Sequence, residues 1–247
     1  MDANSSFPLG GWRFAGFAAL FSLLGGIIGW YWQVHGAPIK NRVAIEQVVH
    51  DYVLSHPEIL PQAMQNLRKR EDAKQLAGVS DELKRPFPGA FLGNPEGKVT
   101  LVEFSDFACA FCRQSEAEVS ALIAGNPDLK VVIRQLPILS PASTDAARMG
   151  LAAARQGRYA AYHHAMYTSG RPDAASIAAA ARSAGLDLVR AQKDIADPAI
   201  TAEINRNLEY GRKLGFEGTP SWVIGEEIHA GAVGRDVLAA AIAKARS

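Results

Sequence analysis

Val99-Thr100-Leu101-Val102-Glu103-Phe104 leads through Ser105-Asp106-Phe107-Ala108 into Cys109-Ala110-Phe111-Cys112, and the reading of this stretch decides the fold. The first run predicts a buried strand and Arg113 to Ala124 a helix, so the cysteine pair opens a helix just after a strand. These are the chain's two cysteines. Their spacing on a first helical turn puts both sulfurs on one face, close enough to make and break a disulfide with little backbone movement. Unpaired backbone N–H groups and the helix dipole there favour a thiolate, so the outer Cys109 is expected to be unusually acidic. That pattern is dithiol redox chemistry. A purely structural disulfide would close a tiny loop and constrain the unfolded chain little. Zinc wants about four ligands, and there is no second cysteine pair to supply them.

With 247 residues, 48% hydrophobic and 21% charged, the chain suits one substantial core with a small appendage. A net charge of +1 gives no electrostatic reason to expect nucleic acid or a strongly acidic partner. Two cysteines fit several compartments, so the compartment is read from the N-terminus. Phe14 to Trp32 carries no charge and approaches the length of about 20 residues that spans a bilayer as a helix. Trp12 on one side and Trp30, Tyr31 and Trp32 on the other suit two membrane interfaces. The expectation is an uncleaved inner-membrane anchor with a periplasmic remainder; the alternative is a leader cleaved at Val34-His35-Gly36.

Ile45, Val48, Val49, Tyr52 and Val53 recur at helical spacing, and Ile59, Leu60, Ala63, Met64 and Leu67 repeat the pattern after Ser55-His56-Pro57. Ser55 with Glu58 resembles a capping box restarting the helix. Arg68 to Lys74 reads as a solvated face. The apolar faces of these two helices need a partner, either their own domain or copies on other subunits. Pro86, Pro88, Gly89, Gly93, Asn94-Pro95 and Gly97 form a turn-rich connector. The expected division is 1–36 as anchor or leader, 37–80 as a helical oligomerisation region and 81–247 as the main α/β domain. Leu129 to Leu136 predicts a second buried strand. An alanine-rich stretch follows, read as about four helices punctuated by Gly157, Gly170-Arg171-Pro172, Gly185 and Asp197-Pro198. Ser221 to Ile224 and Ile228 to Ala230 predict a hairpin, and Val233 to Ala243 a final helix.

In this order, with Gly218-Thr219-Pro220 before the hairpin, the elements resemble a thioredoxin fold carrying a helical insertion at about 139–215, as in the DsbA-like thiol-disulfide oxidoreductases. Leu92-Gly93-Asn94-Pro95 through Cys112, Leu136-Pro137-Ile138-Leu139, Tyr159 through His164 and Thr219-Pro220 match best. The resemblance implies catalytic roles for Cys109 as attacking cysteine, Cys112 as resolving cysteine and Glu103 as the buried acid beneath them. It implies a cis-proline at Pro220, with Thr219, Ala110 and Phe111 lining the substrate site. Residues 43–76 resemble the extension of the trimeric suppressor-of-copper-sensitivity type. The implied substrates are exported cysteine-containing proteins and the implied recycling partner a membrane redox protein; neither cofactor nor metal is called for. Best-known members carry histidine between the cysteines where this chain has Ala110-Phe111, which leaves the direction of exchange open. A second reading is a periplasmic copper-binding protein using the two thiolates as soft ligands. Glu103, an acid in an apolar strand, is costly to bury unless paired or protonated, and could take the proton of Cys112. His163 and His164, adjacent on a helix, make a poor metal pair, and at least one is expected to be packed.

Overall fold

The structure is a computed structural model that describes residues 11–34 and 42–246, with side chains in the first segment described for 21–32. The apolar run forms β2 (Val99–Ser105), the centre of a five-stranded sheet ordered β1-β3-β2-β4-β5. β2 runs parallel to β3 (Leu129–Gln135) and antiparallel to β4 (Ser221–Ile224). β1 (Phe91–Gly93) and β5 (Glu227–Ala230) form the edges, both antiparallel to their neighbours. A parallel pair needs a crossover, and α5 (Ala110–Gly125), which the cysteines open, supplies it.

Alternation along the strands sorts the side chains into two cores. Leu101, Val131, Ile133, Trp222 and Ile224 face the side that holds Cys109, Cys112, Val119 and Leu122. Val102, Phe104, Val132 and Val223 face the other, against Leu83, Leu214 and Phe216. Burial on both faces is why the central strands read as nearly continuous apolar runs.

Between β3 and β4 lie α6 (Pro141–Arg155), α7 (Tyr159–Thr168), α8 (Ala174–Ser183), α9 (Leu188–Ile195) and α10 (Pro198–Lys213). These are five helices rather than about four, because each of the four expected breaks divides the stretch. Side chains of Ser140, Asp173, Asp187 and Asp197 accept N–H groups at four of the helix starts, a cap worth about 1 kcal/mol each. α11 (Arg235–Lys244) ends the chain. The turn-rich connector is also more ordered than its composition predicts. It contains β1, paired with β3, and Gly89 has φ 85, where an added Cβ would lie 2.3 Å from the Ala154 carbonyl oxygen.

The chain divides into two compact units, Met1–Met64 and Gln65–Ser247. The first holds α1 (Gly11–Val34), α2 (Arg42–Ser55) and the beginning of α3 (Ile59–Leu76). Among the described residues no helix is long and apolar enough to cross a membrane. The side chains from Phe14 to Leu20, and the expected cleavage site around His35, lie outside those described. Every described side chain of α1 is exposed, Trp30, Tyr31 and Trp32 included. α2 buries nothing, and Val43, Ile45, Val48, Val49 and Tyr52 are all exposed. Ser55 does not cap the next helix. Its hydroxyl donates back to the Asp51 and Tyr52 carbonyls at 2.7 and 3.1 Å at the end of α2, the local side-chain-to-backbone bond that competes with capping. Pro61 sits in the first turn of α3, where a missing N–H costs little.

In the second unit the end of α3 and the short α4 (Ser80–Leu83) belong to the core: Leu76, Val79 and Leu83 are buried with Phe104 and Val132. The Asp72 carboxylate accepts the Ile228 N–H of the edge strand at 3.1 Å. Arg134 is buried in an ion pair with Glu203 at 2.7 Å and donates to the carbonyls of Glu82, Leu83 and Arg85. These contacts satisfy both a buried charge and the end of α4.

Candidate functional site

Cys109 is the N-cap of α5, with extended backbone at φ −78 and ψ 121, and its Sγ accepts the Cys112 N–H at 3.3 Å. The fold thus aims a first-turn donor at the sulfur, the arrangement expected from the spacing. The Thr219–Pro220 bond is cis and lies opposite the pair, with the Cys109 thiol donating to the Thr219 carbonyl at 3.1 Å. The Thr219 hydroxyl is buried and has no partner while Cys109 is a thiol. Once the proton leaves, the carbonyl no longer suits the sulfur, and the Thr219 side chain is among the groups that favour the thiolate. Both cysteines are free and buried, whereas Ala110 and Phe111 between them are exposed, Phe111 to 61%.

The electrostatics divide the pair. The hydrogen bond from Cys112 is the main cause that brings Cys109 down to about 5, aided by Thr219 and the backbone N–H groups of Cys112 and Phe111 against the cost of burial. Cys112 is pushed far above the ordinary thiol range, by burial first, then by its bond to Cys109 and the nearby Glu103. At neutral pH the site therefore holds one thiolate and one thiol.

Glu103 shares the cysteine side of the sheet, between Ile133 on β3 and Trp222 on β4. Burial raises its carboxyl to about 8. This sets two opposing pH dependences. An acid whose pKa is raised on folding loses stability as pH climbs from its unfolded value of 4.5 to about 8. One whose pKa is depressed gains stability as pH climbs from about 5 to its unfolded value of 9.0, as Cys109 does. In the reduced protein the two nearly cancel. Relative to the wild type, Glu103→Gln is therefore expected to gain stability as pH climbs from 4.5 to about 8, by on the order of 3 kcal/mol near neutrality. Denaturant unfolding of the reduced protein across pH measures it, and parallel profiles for the two proteins would contradict it.

Three groups that sequence reasoning missed complete the site. Ser105, just past Glu103, has its hydroxyl 2.6 Å from that of Tyr167 on α7. Asp106 accepts N–H bonds from Ala108, Ile138 and Leu139 at 2.8 to 2.9 Å, fixing the cysteine turn to the loop after β3. Ile138 and Leu139 stay exposed there. Behind the turn, Phe107 packs edge-on against Tyr162 at 5.7 Å, with Tyr167 at 5.3 Å.

Of the two adjacent histidines, His163 is buried in this aromatic cluster and burial takes it down to about 3, whereas His164 is exposed and pairs with Glu116 at 3.0 Å. His229 lies in β5 across from Trp222, 3.5 Å from Glu227. Among the described residues no group of three or more His, Cys, Asp or Glu could hold a metal ion, so a copper reading would rest on the two sulfurs alone.

Residues 88–244 match the family described as Thioredoxin, and residues 42–74 match the Copper resistance protein ScsC N-terminal domain. Among solved structures, a thioredoxin-like oxidoreductase from Silicibacter pomeroyi is 41% identical, covering 67% of this chain and 96% of its own, at a TM-score of 0.64. The thiol-disulfide exchange protein alpha-DsbA2 from Wolbachia pipientis is 27% identical, covering 72% of this chain and 97% of its own, at 0.65. A linker-deletion mutant of ScsC from Proteus mirabilis is 27% identical, covering 85% and 97%, also at 0.65. A curated relative, the Na(+)/H(+) antiporter NhaA 1 of Salinispora arenicola, is 29% identical over 182 residues, which is 70% of this chain. The chain spans 28% of that protein's length. The helical insertion after β3 and the cis bond before β4 accord with these matches, and the chain belongs to the thioredoxin family, among its DsbA-like members with an ScsC-type N-terminal segment.

Proposed function

We propose that this protein is an exported thiol-disulfide oxidoreductase acting on cysteine-containing polypeptides through Cys109 and Cys112. The observation that carries the reading is the split pair: a thiol held at about 5 beside one held protonated, on the same helical turn. In the reducing direction the Cys109 thiolate attacks a substrate disulfide, forming a mixed disulfide and releasing one substrate thiolate. Cys112 then loses its proton and attacks Cys109 Sγ, so that the enzyme disulfide forms as the second substrate thiolate leaves. Oxidation is the reverse, and isomerisation is attack on the mixed disulfide by another substrate thiol. Ala110, Phe111, Thr219 and Pro220 would line the substrate, with the exposed Phe111, Ile138 and Leu139 offering apolar contact. The test is equilibration with glutathione buffers followed by insulin reduction. The reading requires one reversible disulfide between Cys109 and Cys112 and catalysed turnover. Thiols that bind Cu(I) without turnover would overturn it.

The exposed apolar side chains of α2 support a homotrimer assembled through residues 37–80, since helices this short are marginal in water without packing. The exposed Trp30, Tyr31 and Trp32 support an inner-membrane anchor over Phe14–Trp32, with the redox domain in the periplasm and a membrane redox protein restoring its pair. A leader removed near Gly36 would leave the same domain soluble there.

A further inference from the structure

On the sheet face opposite the cysteines, a cleft of about 520 Å³ opens between the chain at 82–88 and α10. Clefts of this volume hold small ligands. Its walls are fixed in advance. Arg134 donates to the carbonyls of Glu82, Leu83 and Arg85, which ties one wall to β3. The Arg155 guanidinium lies 5.6 Å from the centre of the Phe87 ring and holds it between Pro86 and Pro88. The charges in the cleft do not balance. Three guanidiniums, of Arg85, Arg134 and Arg206, face two carboxylates, of Glu82 and Glu203. Both carboxylates are taken: Glu82 accepts the Tyr210 hydroxyl at 2.5 Å and Glu203 accepts Arg134 at 2.7 Å. Arg134 is spent in these bonds, with 3% of its side chain exposed. Arg206 stands 3.6 Å from Glu203, beyond hydrogen-bond distance, and its side chain is 54% exposed. Arg85 is exposed too, and no carboxylate pairs with it among the described residues. Beside Arg134, Asn207 accepts through Oδ1 at 3.4 Å, while its buried Nδ2 has no partner among the described residues. The cleft therefore carries one positive charge and several N–H donors in excess, next to apolar walls.

We propose that this cleft binds a single carboxylate carried on an aromatic body, with Arg85 and Arg206 donating to the carboxylate and Phe87 and its flanking prolines packing against the body. A guanidinium presents a planar fork of donors that matches a carboxylate. One negative charge cancels the excess. A phosphate, with a charge of about −2, would leave negative charge unmatched beside Glu82 and Glu203. An uncharged apolar ligand would take water from two guanidiniums and give them no acceptor in return. Two sources carry this chemistry: a free aromatic acid, and the C-terminal residue of a polypeptide. The cleft lies across the sheet from Cys109, so its ligand is bound independently of thiol exchange.

The experiment is calorimetric titration of the full chain with 3-phenylpropionate and with the tripeptide acetyl-Ala-Ala-Phe, each beside its own amide. At least one acid should bind, and its amide should bind about tenfold more weakly or worse, because the charge-assisted bonds are gone. Binding of the tripeptide alone assigns the cleft to polypeptide ends, and binding of phenylpropionate, with or without the tripeptide, assigns it to free aromatic acids. Arg85→Gln and Arg206→Gln should each weaken the acid about tenfold and leave the amide unchanged. Both side chains are exposed, so neither substitution opens the core. Ala202→Trp, from an exposed position on α10 that lines the cleft, should fill it and abolish binding while insulin reduction keeps its wild-type rate. The proposal is overturned if neither acid binds at about 1 mM, if acid and amide bind alike, or if inorganic phosphate binds more tightly than either acid. Arginine variants that bind as the wild type does overturn it as well.

Discussion

Cys109→Ser is expected to abolish insulin reduction and dithiol oxidation, and Cys112→Ser to leave a protein captured by its substrates as a lasting mixed disulfide. The two cysteines are near neighbours but have opposite chemistry. With Cys109 at about 5, nearly all of it is thiolate at pH 7, against about 3% for a free cysteine, so the population of nucleophile rises roughly thirtyfold from this cause alone. A serine hydroxyl forms no anion in this range, and Cys112, buried and held protonated, is no substitute. Without Cys112 the first attack still occurs, but the group that cuts the substrate loose is gone. Turnover assays with non-reducing electrophoresis separate the two variants. Equal residual activity in both, or trapping by Cys109→Ser rather than Cys112→Ser, would contradict the assigned roles.

The second large effect concerns the N-terminal helices. Shortening the chain to 65–247 is expected to yield a monomer that still oxidises or reduces disulfides but loses isomerase activity by about a hundredfold. The magnitude comes from effective concentration: several Cys109 sites in one assembly engage the same misfolded substrate, a gain on the order of 10² to 10⁴ over single sites. Simple oxidation needs one site at a time. The position of the cut matters. Leu76, Val79 and Leu83 are buried beneath the sheet, and Asp72 caps the edge strand, so starting the chain near Pro88 would strip the core and confuse unfolding with loss of assembly. Light scattering on chains 37–247 and 65–247, with refolding of scrambled ribonuclease, makes the comparison. A monomeric longer chain, or isomerase activity retained by the shorter one, would sink the trimer reading.

The strand, cysteine pair and helix are legible in sequence because each rests on local pattern: an apolar run, a spacing of three and a helical period. Glu103 is legible as the acid in that run. Thr219 and Pro220 are not legible from pattern, and they enter through resemblance, since their place beside Cys109 depends on a chain return 110 residues on. Ser105, Asp106 and Tyr167 escape notice for the same reason: Ser105 meets Tyr167 across 62 residues, and Asp106 holds Leu139 across 33. As isolated residues they look like ordinary turn polars and a core aromatic. β1 is hidden differently, because three residues among prolines and glycines become a strand through pairing with β3 rather than by propensity. Ser55 shows the limit of a local motif, since the cap and the back-bond compete and the preceding carbonyls win.

Whether this turn of helix holds a stabilised thiolate ready for exchange can be read by titrating the reduced protein through its ultraviolet thiolate absorbance, with Cys109→Ser as the blank. One thiolate should appear with a midpoint at about 5, and no second one until strongly alkaline pH. A midpoint near the free-cysteine value of about 8.5 would contradict it.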